Sequence, residues 1–131
     1  MYDRVFGKVE YDYGWSTPIT LVLFNETYNT TCVASAYKNE TINKLQRSQY
    51  TLFKESETEL LYKAEQELVK YVEQTYPSYS QKLKESIHPR ELIFQQDGNV
   101  GIYCDCDWDI ETGIVIGIFP ETKIINPDNF L

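Results

Sequence analysis

Between Ser56 and Pro77 the chain places Leu60, Leu61, Ala64, Leu68, Tyr71 and Val72 on a single stripe with the period of an amphipathic helix. Ser56 and Glu59 have the Ser-x-x-Glu spacing of a capping box, and Pro77 stops the pattern, so a helix is predicted from Ser56 to Tyr76. Glu59 and Lys63 add an i,i+4 pair worth about 0.2–0.5 kcal/mol. Burying each large side chain of the stripe is worth about 1.5–3 kcal/mol. Packing therefore decides whether this helix exists, and the rest of the chain has to supply the surface it packs on.

The flanking segments read as strands. Val5, Val9 and Tyr11 lie at even separations, with Gly7 between them as a bulge or close-approach point. Asp12, Gly14 and Ser16 signal a turn. Ile19 to Phe24, opened by Pro18, is apolar at nearly every position, as in a strand covered on both faces. Thr30 to Tyr37 is β-rich. Thr41 is placed to cap a short helix carrying Ile42, Leu45, Gln49, Leu52 and Phe53. Beyond the long helix, Tyr79 to Pro89 reads as an amphipathic connector. Glu91–Gln96, Val100–Trp108, Ile114–Phe119 and Lys123–Ile125 read as strands, with turns at Asp97-Gly98 and Gly113. The fold class is α+β: a mainly antiparallel sheet with N-terminal strands, a central long amphipathic helix and a C-terminal hairpin, in one domain over residues 1–131.

Composition removes several function classes. The formal net charge is −8 and Lys plus Arg number only 12, which argues against nucleic acid as a partner and suits a basic protein. No apolar run approaches the ~20 residues of a membrane span, and the first residues lack the charged and apolar regions of a signal peptide. Three cysteines, two of them at Cys104 and Cys106 in one strand, fit a reduced, cytoplasmic setting. Phosphate-cradling loops, nucleophile elbows and zinc-protease motifs are missing. His88 is the single histidine and reads as a structural residue, in a loop or partly buried, and nothing in the chain calls for a cofactor.

The stretch Cys104-Asp105-Cys106-Asp107-Trp108-Asp109-Ile110-Glu111-Thr112-Gly113 is the unusual one. Strand alternation puts Ile102, Cys104, Cys106 and Trp108 on a core face, with Trp108 buried, and Tyr103, Asp105 and Asp107 on the other face. At about 6.5–7 Å, Asp105 and Asp107 repel by roughly 2.5 kcal/mol where solvent is partly excluded. A functional face therefore needs a cation nearby. Asp109 and Glu111 extend the acidity into the turn. The spacing starts like an EF-hand, but Ile110 stands where glycine is needed and Ile116 where the bidentate glutamate is needed. Tyrosine is abundant, with 11 in the chain, and Tyr11, Tyr13 and Trp15 surround the first turn. The candidate binding residues are Asp105, Asp107, Asp109, Glu111, Tyr103 and Trp15. No residue is assigned as a metal ligand.

At this stretch the sequence resembles a bacterial domain family of unknown function whose signature is an acidic strand ending in Trp-Asp, then Glu-His-Gly and an apolar strand. Here Asp107-Trp108-Asp109-Ile110-Glu111-Thr112-Gly113 carries it, with Thr112 where that family commonly has histidine. The resemblance implies a small bacterial cytosolic protein of the kind found in toxin–immunity clusters, and no established activity. Two functions follow as expectations. The first is a non-enzymatic, immunity-like protein that binds a basic partner through an acidic, aromatic surface. The alternative is a metal-binding or hydrolytic domain using the Asp105–Glu111 carboxylates.

Overall fold

The computed structural model describes residues 1–131. In chain order the elements are β1 (Tyr2–Asp3), β2 (Gly7–Lys8), β3 (Glu10–Tyr11), β4 (Gly14–Leu23), β5 (Glu26–Ser35), α1 (Lys44–Glu55), α2 (Glu57–Thr75), a 3₁₀ turn (Pro77–Lys82), α3 (Leu83–Ser86), β6 (Ile87–Phe94), β7 (Val100–Cys106), β8 (Ile114–Phe119), β9 (Lys123–Ile125) and α4 (Pro127–Phe130). The fold is α+β. Its main sheet has seven strands in the order β3-β4-β5-β6-β7-β8-β9, and β1-β2 form a separate hairpin.

Every neighbouring pair in the main sheet is antiparallel except β5 and β6, which run parallel with Thr31 opposite Glu91 and Ala34 opposite Phe94. A parallel pair needs a crossover, and α1, α2 and the following turns provide it. α1 and α2 cover one face of the sheet. Leu61, Ala64, Leu68 and Val72 of α2 are buried there in one core with Leu21, Leu23, Cys32, Leu92, Phe94, Ile102, Cys104 and Ile116. Leu60 and Tyr71 complete the stripe half-buried. A small second cluster of Val33, Ile93, Val115 and Phe130 lies on the opposite face. Phe130 reaches it because Gly101 has no side chain: a Cβ there would stand 2.5 Å from Val115 Cγ1 and 3.1 Å from Phe130 Cε1.

Several local expectations change. Ser56 does not cap α2. Its N–H bonds to the carbonyls of Leu52 and Phe53, both at 3.2 Å, so it ends α1, and with φ −123° and ψ 23° it lacks the extended backbone of a cap and its side chain makes no capping hydrogen bond to α2. The capping box is at α1 instead: Asn43 Oδ1 accepts from Gln46 N–H at 2.8 Å, and Gln46 Oε1 accepts from Asn43 N–H at 2.9 Å. Asn43, not Thr41, is the cap. The buried face of α1 is Gln46 and Phe53, while Leu45 and Leu52 are exposed. The β4 run is covered on one face only, with Leu21 and Leu23 buried and Thr20 and Val22 exposed. The Tyr79–Pro89 connector already enters β6 at Ile87.

Candidate functional site

The acidic stretch leaves the sheet earlier than expected. β7 ends at Cys106, and Asp107 N–H then bonds to Ser86 O at 2.9 Å, turning the chain. Asp109 organises the turn: its Oδ1 accepts from Thr112 N–H at 3.2 Å and its carbonyl accepts from Gly113 N–H at 3.0 Å. Gly113, at φ +73°, closes the β7–β8 hairpin, and a Cβ there would lie 2.5 Å from Cys104 O. Glu111 points to solvent. Asp105 is paired with Arg90 at 2.6 Å and Asp107 with His88 at 3.0 Å, both partners coming from the adjacent β6. His88 is thus the partly buried residue the sequence allowed, but in a strand and facing an acid, not in a loop.

These pairs reverse one energetic expectation. Each carboxylate has its own cationic or hydrogen-bonding neighbour, so repulsion between Asp105 and Asp107 is not what charge removal relieves. The side chains are 40–56% exposed, the regime in which an ion pair contributes about 0–1 kcal/mol. The double variant Asp105→Asn, Asp107→Asn is therefore expected to lose up to about 1 kcal/mol in urea denaturation, not to gain stability. A rise in stability would show that repulsion dominates after all. No three of the His, Cys, Asp and Glu side chains are gathered as a metal site requires.

Trp108 is not a buried strand residue. It lies in the turn after β7, half-buried, its ring stacked on Tyr76 at 5.9 Å and edge-on to Tyr79 at 5.9 Å. It packs there because β7 stops two residues early and the chain folds toward the end of α2. The indole N–H is buried without an acceptor. Trp108→Phe should therefore change stability by less than about 1 kcal/mol, since no hydrogen bond is lost. Trp108→Ala should cost about 3 kcal/mol through lost ring packing. Thermal melting of the two variants side by side checks this; a costly Phe variant would mean that the indole N–H has a partner.

The other expected residues separate. Tyr103 lies on the outer face of the sheet beside Asp105, opposite Glu91 of β6. Burial and the nearby Asp105 and Glu91 charges push its hydroxyl pKa up. Burial, then the Asp12 carboxylate, pushes that of Glu91 up. Trp15 belongs to another end of the molecule. It is opposite Ala34, and Ala34 is opposite Phe94, whereas Asp105 is opposite His88. Six residues of β6 (94 − 88 = 6) separate those rows, or roughly 20 Å. The indole of Trp15 donates to Glu40 O at 2.8 Å and packs edge-on to Tyr11 at 5.3 Å.

A concavity lies at that far end. This cleft of about 600 Å³ is lined by Tyr11, Tyr13, Ser35, Ala36, Tyr37, Gln95, Gln96, Asp97 and Phe130. Asp97 is the only charged residue lining it. Tyr13 is the tip of the β3–β4 hairpin, 92% exposed and held at φ +69°. Tyr37, 81% exposed, sits on a loop fixed by Glu40, whose carboxylate accepts from Tyr37 N–H at 2.7 Å and Gln96 Nε2 at 3.0 Å. Those two donors hold the Glu40 pKa below the usual carboxylate range. Tyr11 hydroxyl donates to Ala36 O at 3.0 Å, tying the hairpin to the end of β5. The tyrosines around the first turn were readable from the sequence. Tyr37 and the two glutamines were not, because only the parallel β5–β6 pairing brings the ends of those strands together.

The thiols offer no nucleophile. Cys32, Cys104 and Cys106 are all buried and unpaired. Burial pushes the Cys32 thiol up to about 12, raises that of Cys104 further, and pushes Cys106 up to about 11.

No helix is long and apolar enough to cross a membrane. No curated protein and no solved structure matches the chain. One family model does match, over residues 5–126, from just before β2 through β9. Since it spans nearly the whole fold, the chain belongs to the family described as the domain of unknown function DUF6985.

Proposed function

We propose that this protein is a non-enzymatic binding module that engages a basic protein through the tyrosine cleft, in the bacterial cytoplasm and in the manner of an immunity protein. The observation that carries the reading is Tyr13. A bulky side chain at positive φ costs about 1–2 kcal/mol of backbone strain, and burial of this ring returns none of it because the ring is 92% exposed. A strained, solvent-facing aromatic beside Tyr37 and two side-chain amides gives a partner large contact area and hydrogen-bonding groups at low entropic cost. Net charge −8 and a cleft without lysine or arginine favour a cationic partner. The Asp105–Glu111 stretch contributes acidity to the surface; its three aspartates are engaged with Arg90, His88 and the turn, and Glu111 faces solvent.

The test uses two variants. Tyr13→Gly should raise stability by about 1 kcal/mol, because glycine adopts this φ without strain. Tyr13→Ala with Tyr37→Ala should leave the fold intact. Proteins captured from a host lysate on the wild type should be basic, elute with added salt, and be missing from both variants. Equal capture by wild type and variants, or capture of acidic proteins, would sink the reading.

A further inference from the structure

We propose that the free edge of β4 is a self-association surface, on which a second copy of this chain pairs its own β4 antiparallel about a two-fold axis through Leu21. β4 is paired with β5 along Gly14–Leu23, but β3 covers its other edge only at Trp15 and Ser16. Phe24 and Asn25, at φ 54° and 62°, form a two-residue turn, which makes Leu23 and Glu26 the hydrogen-bonded closing pair. Alternation then turns the backbone groups of Leu21 and Ile19 toward β5, and those of Val22, Thr20 and Pro18 outward. Two contacts agree with this parity. Thr30 Oγ1 donates to Ile19 O at 2.9 Å on the β5 side, and Phe24 N–H, the next outward group, donates to Glu65 Oε1 of α2 at 2.7 Å.

What remains unpartnered are the N–H groups of Thr20 and Val22 and the carbonyls of Pro18, Thr20 and Val22. Such a row is a template for another strand, and edges are ordinarily protected by charge, by proline or by cover. β4 carries no charged residue. Pro18 is its one protective device, and it falls outside the self-paired register. With Leu21 on the axis, Thr20 faces Val22 of the second copy and Val22 faces Thr20, while Pro18 faces Phe24 beyond the strand end. The free donors and acceptors are thus self-complementary about Leu21, and no like charges meet across the join. A strand pair alone is small against the roughly 1,200–2,000 Å² of a stable interface. Further surface lies beside the β4–β5 turn: Val22 is 49% exposed, and a groove of about 440 Å³ on α2 is lined by Phe24, Tyr62 and Val69 together with Glu65, Lys70 and Glu73. β4 itself carries no charge, its free donors and acceptors match their own copy about Leu21, and the Glu65 carboxylate at the strand end is already taken by Phe24 N–H, which favours a second copy over the cationic partner assigned to the cleft.

Sedimentation velocity from about 1 to about 500 µM should show a monomer–dimer equilibrium. Added salt should strengthen it, because two chains of charge −8 repel; binding of a basic protein at the cleft has the opposite salt dependence. Val22→Lys should weaken dimerisation at least about tenfold with an unchanged melting temperature. Thr20→Pro, which removes one outward N–H, should do the same. Hydrogen exchange should show the Thr20 and Val22 amides slowing as protein concentration rises. The Tyr13→Ala, Tyr37→Ala variant should dimerise like wild type. A wild type that stays monomeric throughout, a Val22→Lys variant that dimerises as well as wild type, or a dimer that protects other amides instead overturns the proposal.

Discussion

Gln46→Leu is expected to destabilise the protein by about 3–4 kcal/mol, a large share of the stability of a domain this size. Gln46 is fully buried. Its Nε2 donates to Ser35 O at 2.8 Å and Phe94 O at 2.9 Å, and its Oε1 accepts from Asn43 N–H at 2.9 Å. Ser35 and Phe94 are the last residues of β5 and β6, where the parallel ladder runs out and their carbonyls have no further strand to meet. One side-chain amide therefore closes the open end of the parallel pair and caps α1. Leucine fills a similar volume but donates and accepts nothing. It leaves two carbonyls and one N–H without that partner, at about 1–3 kcal/mol for each group that stays dry. Urea denaturation followed by circular dichroism measures the difference. A loss below about 1 kcal/mol would mean that water reaches these groups and that the clamp is not needed. Because the Tyr37 loop and Gln95–Gln96 follow directly from the clamped strand ends, the variant should also loosen the tyrosine cleft.

Gln46 shows where sequence reading stops. The helical period points to Ile42, Leu45, Gln49, Leu52 and Phe53 as the core face; Ile42 and Phe53 are buried, yet Leu45 and Leu52 are exposed, and a glutamine, Gln46, takes a buried position. Hydrophobicity cannot signal a side chain buried for its hydrogen bonds. The same limit hides the parallel β5–β6 pair, since strand direction depends on how the crossover packs and not on side-chain alternation. By contrast, the α2 stripe, the Asp97-Gly98 and Gly113 turns and the Lys123–Ile125 strand were legible, because each rests on local pattern or a required backbone conformation. At the acidic stretch, alternation placed Cys104, Cys106, Tyr103 and Asp105 correctly and failed at Trp108, one turn past the end of β7. The Arg90 and His88 partners were hidden for a different reason: the sequence pattern starts the strand at Glu91, whereas β6 begins at Ile87 and carries both residues alongside β7. Ser56 had the right residue spacing for a cap but the wrong backbone, since α1 already claims its N–H.

Arg47→Ala should cost about 3 kcal/mol and change how stability depends on pH. The Asp3 carboxylate, 1% exposed, meets Arg47 Nε and Nη2 at 3.0 and 2.6 Å through one oxygen and the N–H groups of Val5 and Phe6 at 2.9 and 3.0 Å through the other. Burial alone would raise its pKa; the Arg47 bond and the two backbone donors together outweigh burial and hold it below the ordinary carboxylate value. A depressed folded pKa contributes stability that is present above the unfolded value, about 3.9, and is lost as pH falls through the folded value. Wild type should therefore weaken on acidification below about pH 4. Removing Arg47 leaves a buried carboxylate with only its two N–H donors, and desolvation then moves the folded pKa upward. The deficit of the variant should be largest at neutral pH and shrink as the solution is acidified, because protonation removes the unpaired charge. Urea midpoints of both proteins between about pH 3 and 7 give the test, and parallel pH curves would show that Arg47 acts by packing alone. The bond joins the β1–β2 hairpin to α1, and Phe6 of that hairpin packs tilted against Tyr50 and edge-on to Phe94. Loss of the ion pair should therefore free the N-terminal hairpin first, visible as faster amide exchange at Val5 and Phe6 while the α2 core stays protected.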